Sequence, residues 1–162
     1  MIIINKRNLF FLISVWLLST LLSAQNVTIS TPHTQLLLSV PNGGTPEQLY
    51  YGSRTSDADI RSICETARRR NAYPVYGMGY PCETALSVRH ADGNLTLQMA
   101  VIGVKETRLT KENATLTVIE LKDKVYPFFV NICYKAWQDA DVIETWTEIR
   151  HEEKKPVQLQ HV

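Results

Sequence analysis

The chain has 162 residues, 44% hydrophobic and 20% charged, with 17 Lys and Arg against 16 Asp and Glu. That is enough for one modest domain and too balanced in charge to be built for a polyanion. Three cysteines are an odd count, which excludes a complete disulfide framework.

The first 24 residues stand apart from the rest. Lys6 and Arg7 precede an apolar run, Leu9–Leu22, interrupted only by Ser14, Ser19 and Thr20, and Ser23 and Ala24 follow before polar Gln25. A basic start, an apolar stretch and a small-residue exit read as a secretory signal helix over residues 1–24, removed on export. The run is short for a spanning helix, so no membrane association is expected after cleavage. Without Lys6 and Arg7, 15 of the 17 basic residues remain against 16 acidic ones.

From Gln25 onward the apolar residues recur at period two, the signature of strands. Val27–Ser30 and Thr34–Val40 are the first two runs, and the turn residues Pro41–Gly44 lead into Glu47–Gly52. The stretch from Tyr50 to Pro81 follows no strand pattern, and only Asp57–Arg70 within it has the composition of a short helix. Asp92-Gly93 lies between two alternating runs and predicts a tight hairpin with both central residues at positive φ. The last third predicts a three-strand meander. Ala114–Asp123 leads to a strand with Tyr126, Phe128, Val130, Ile132 and Tyr134 on one face, Gln138–Asp141 turns the chain, and Val142–Arg150 returns. Val157–Val162 begins another strand with no later partner, and the expectation is a chain that is the front part of a longer one. The class is all-β, an antiparallel β-sandwich.

Few residues carry chemistry of their own. His33, His90, His151 and His161 are scattered, and no cysteine pair has metal-ligand spacing, so neither a metal nor a cofactor is expected. Arg68–Arg70 is the one basic cluster; without stacking aromatics or a basic helix it reads as a solvated face rather than a nucleic-acid site. Cys64 and Cys82 could pair in an oxidising compartment, although separate thiols are the plainer reading. Asp57 and Asp59 resemble a carboxylate pair, but on a helix they would diverge, and a helix N-terminus explains them better. Trp137 and Trp146 suggest a sugar-stacking platform, with packing the simpler role.

Several segments taken in order carry a resemblance. "EQLYYGSR", "AYPVYGMGYPCETALSVRHADGNLTLQM", "TLTVIELKDKVYPFFVNICYKAWQDADVIETWTEIR" and "KPVQLQ" are together similar to the N-terminal domain of glycoside hydrolase family 36 α-galactosidases. The resemblance runs over residues 25–162 and implies the front of a β-supersandwich, which in that family precedes a (β/α)8 barrel. It implies hydrolysis of terminal α-galactosyl linkages with retention in the complete enzyme, by two aspartates on the barrel. No residue of this chain is therefore a candidate catalyst. The resemblance further implies α-galactoside sugars, the barrel and a second copy of the chain as partners. It makes Asp57, Asp59 and Arg61 candidates for lining a sugar site from a loop of this domain. The alternative is a stand-alone exported carbohydrate-binding β-sandwich, with an aromatic platform such as Trp137 with Tyr134.

Overall fold

The computed structural model describes residues 25–79 and 83–161. The proposed signal segment lies outside them, as does Cys82 and with it the pairing to Cys64. The described strands are β1 (Gln25–Ser30), β2 (Thr34–Val40), β3 (Glu47–Ser53), β4 (Arg70–Asn71), β5 (Ser87–Arg89), β6 (Met99–Leu109), β7 (Ala114–Asp123), β8 (Phe128–Trp137), β9 (Val142–His151) and β10 (Gln158–His161), with one α-helix, α1 (Asp57–Thr66). They form a first sheet in the order β1-β2-β3-β4, a second in the order β6-β7-β8-β9, and a two-stranded β10-β5 ribbon. All the ladders are antiparallel, as expected for an all-β sandwich.

The core lies between the two large sheets. Val27, Ile29, Leu36, Leu38 and Val40 come from the first; Ile119, Leu121, Phe128, Val130 and Ile132 come from the second. Alternation puts these residues on one face of each strand, and burying that face drives the two sheets together. β2 departs from simple alternation, because Gln35, Leu37 and Ser39 on its other face are buried too. The segment carrying α1 is tied down over that face. Gln35 Oε1 accepts from the Thr55 N–H and hydroxyl at 3.0 and 2.9 Å, and Arg69 Nη1 donates to Ser39 Oγ at 3.0 Å. A polar residue on a covered face needs such partners, and here they tether both ends of the helix.

Two expectations need correction. Asp92-Gly93 does turn the chain, but as a three-residue loop: His90 N–H donates to Asn94 O at 2.8 Å and Gly93 N–H to His90 O at 2.9 Å. Only Gly93 has a positive φ, at 91°. One left-handed glycine closing such a loop gives a bulged turn instead of the two-residue form. The strands around it do not pair with each other either. β5 pairs instead with β10, Gln158 opposite Arg89 and Leu159 opposite Val88.

Candidate functional site

The loop candidates fall on α1. Ser56 caps it, its Oγ accepting from the Asp59 N–H at 3.3 Å and donating to Asp59 Oδ2 at 2.7 Å. Asp57 and Asp59 occupy the first turn, where carboxylates meet the positive end of the helix dipole. Successive helical positions lie 100° apart, so these two carboxylates point in different directions rather than converging. Asp57, Asp59 and Arg61 are all exposed.

The carboxylates in well-defined surroundings are brackets for the backbone. Asp123, buried at the end of β7, accepts from Gln98 N–H at 2.6 Å, Val125 N–H at 2.7 Å and Tyr126 N–H at 2.8 Å. Asp141, itself at φ 53°, accepts from the Thr31 hydroxyl and from His33 N–H at 3.0 Å, joining the β8–β9 turn to the β1–β2 turn. Glu153 reaches into the interior. Its Oε1 lies 2.7 Å from His90 Nδ1, and its Oε2 accepts from Ala91 N–H at 2.9 Å. The His90 ring stacks on Tyr126 at 3.7 Å and lies T-shaped to Phe128 at 5.8 Å. Its Nε2 is buried with no partner among the described residues. A histidine oriented by a carboxylate could serve as a base, but among the described residues no nucleophile is hydrogen-bonded to its Nε2. His90 and Glu153 escaped the sequence reading, Glu153 because it sits in the charged stretch His151–Lys155. Asp123 had a signal, since it continues the inward register of Ile119 and Leu121.

The Thr31 hydroxyl, then the His33 N–H, hold the Asp141 carboxyl below the ordinary aspartate value of 3.8. A depressed folded pKa adds stability that is fully present above the unfolded value and is lost as pH falls through the folded one. The clasp between the two turns is expected to loosen below a pH of about 3.8. Thr31→Val should flatten that part of the stability–pH curve measured by chemical denaturation. An unchanged acid limb would show that the clasp does not set it.

Tyr134 and Trp137 do not make a platform together, the arrangement that the alternative reading needs. Tyr134 is buried on the inner face of β8, and Trp137, three residues on, belongs to the opposite face. Trp137 is also engaged, with Lys135 Nζ 3.8 Å above its ring and Nε1 donating to Glu144 at 3.0 Å. Phe129 on the same outer face lies beneath Arg150, 4.0 Å from the ring centroid.

A groove of about 530 Å³ opens where β3 and β9 overhang the core. Gln48 and Tyr51 pair with Leu38 and Leu36, and so share the inner face of β3. Thr145 and Thr147 pair with Tyr134 and Ile132 and form the opposite bank. Leu36, Ile132 and Tyr134 make the floor, and Tyr73 closes one wall. Burial pushes the Tyr134 phenol up to about 12. Burial also raises Tyr73, with Thr147 opposing, yet among the described residues no group meets the Tyr73 hydroxyl at hydrogen-bonding geometry. Among the described residues, no three His, Cys, Asp or Glu side chains are gathered as metal ligands.

The family described as glycosyl hydrolase family 36 N-terminal domain matches residues 44–162. No curated protein sequence matches the chain. Among solved structures, the α-galactosidase of Lactobacillus brevis is similar at 16% identity and a TM-score of 0.71, the match covering 85% of this chain and 23% of that one. The AgaA A355E α-galactosidase of Geobacillus stearothermophilus, in complex with 1-deoxygalactonojirimycin, is similar at 14% identity and a TM-score of 0.73, with the same coverage. The galactosidase domain of the α-galactosidase-sucrose kinase AgaSK is similar at 20% identity and a TM-score of 0.68, covering 83% of this chain and 23% of that one. At these identities the likeness is one of fold, and the chain spans about a quarter of the length of each relative.

Proposed function

The chain belongs to the glycosyl hydrolase family 36 N-terminal domain family, and on that premise we propose that it is the N-terminal, non-catalytic part of an exported α-galactosidase. The observation carrying this reading is the ordered family match over residues 44–162, together with a sandwich that aligns with about a quarter of several α-galactosidases. In the complete polypeptide a (β/α)8 barrel supplies the chemistry. Cleavage of a terminal α-galactosyl linkage with retention needs two carboxylates about 5–5.5 Å apart, one as nucleophile and one as acid/base. Asp123, Asp141 and Glu153 are committed to backbone amides and His90, which supports a bracing role for this part. Export rests on residues 1–24, read as a signal helix.

In this reading α1 faces the barrel mouth of its own or a neighbouring copy, and Asp57, Asp59 and Arg61 hydrogen-bond sugar hydroxyls there. Their exposure and the tethering of α1 at both ends favour a presenting surface. The test uses the polypeptide encoded by the whole reading frame, assayed on an aryl α-galactoside. Hydrolysis with retained anomeric configuration is expected, and Asp57→Ala should raise KM. No hydrolysis would remove the functional reading, whereas an unchanged KM would remove only the sugar contact.

A further inference from the structure

We propose that the groove between β3 and β9 is a binding site for a neutral saccharide, separate from α1. None of the residues that line it is charged. Three other clefts are charged: one has Glu120, Glu148 and Arg150, a second Glu152, Glu153, Lys154 and Lys155, and a third Arg68 and Arg70. A charged ligand entering the β3–β9 groove would lose hydration and find no counter-charge. A purely apolar ligand would leave the polar groups of both banks without partners.

What the groove offers is a set of neutral hydrogen-bonding groups on an aromatic and aliphatic floor. Gln48 and Tyr51 stand on one bank, Thr145 and Thr147 on the other, with Tyr73 and Tyr134 between them. A pyranose ring has the matching character, with apolar C–H faces for the tyrosine rings and a rim of hydroxyls for the banks. Its volume is within the range of small-ligand sites. Tyr73 is the second, independent sign. The residue is 7% exposed, and its hydroxyl, beside Thr147, has no partner at hydrogen-bonding geometry among the described residues. Buried polar groups in folded proteins are nearly always paired, and a ligand hydroxyl reaching this wall would complete the set.

The saccharide class follows from the groove alone, while the choice of a galactoside as first probe rests on the function proposed above. The test is an NMR titration of the full 162-residue chain with methyl α-galactoside, methyl α-glucoside and, as a charged control, glucuronate. Shifts confined to Gln48, Tyr51, Tyr73, Thr145 and Thr147 are expected with a neutral sugar and not with glucuronate. Tyr73→Phe, which keeps the ring, should weaken binding about two- to tenfold, the worth of one hydrogen bond. The same variant should melt no lower than the parent, because it removes a buried unpaired hydroxyl. Binding of the glucoside alone would uphold the groove and remove the galactoside. Silence with both neutral sugars, shifts only on α1, or a Tyr73→Phe variant that binds unchanged would each overturn the groove, leaving the hydrolysis assay above unaffected.

Discussion

Replacing Glu153 with alanine is expected to cost about 2–5 kcal/mol of folding stability, since each of the two groups that lose their partner costs about 1–3 kcal/mol. The side chains of His90 and Glu153 are 0% and 6% exposed. Glu153 holds His90 Nδ1 with one oxygen and the Ala91 N–H with the other. Without it both groups lose that partner, and His90 Nε2 already has none among the described residues. The contact also joins residues 63 positions apart in the chain, tying the His90–Asn94 turn to the return that leads into β10. Glu153→Gln keeps an oxygen acceptor and should lose markedly less. Denaturant unfolding of both variants is the check, and a Glu153→Ala loss below about 1 kcal/mol would mean that the pair adds little beyond packing.

Phe128→Ala should cost a comparable amount, about 3–5 kcal/mol, by a different route. Phe128 is 0% exposed, begins the inner face of β8 and packs T-shaped against the His90 ring. Deleting its ring removes contacts with the core and leaves a cavity that the surrounding strands cannot fill without breaking their ladders. Phe128→Leu retains much of the volume and should recover a large part of the loss. A Phe128→Ala melt within a few degrees of the parent would show that this end of the sandwich collapses onto the space.

The two positions differ in how readable they were. Phe128 lies in a ten-residue strand whose even-numbered apolar residues alternate without a break, so its face follows from period alone. The β7–β8–β9 meander was equally plain, because each strand is long and each connection short. β5 and β10 were not, at three and four residues and separated by the whole of the second sheet. Glu153 was hidden for a related reason. In His151–Lys155 charge marks a solvated break, and only the tertiary fold turns one of those carboxylates inward. A short helix was legible over Asp57–Arg70, of which Asp57–Thr66 forms one and Arg70 joins β4, but the tethers at Thr55 and Arg69 were not, since both act on β2 from across the sheet. The groove is less legible still. Tyr51 and Thr145 are 94 positions apart and meet only once the two sheets have packed.

The central claim is that this domain supports a galactosidase without performing its chemistry. The direct test is to purify the 162-residue chain beside the polypeptide encoded by the whole reading frame, and to assay both on an aryl α-galactoside. Turnover by the longer polypeptide and none by this chain is the predicted result. Turnover by the 162-residue chain alone, abolished by a substitution within it, would contradict the account.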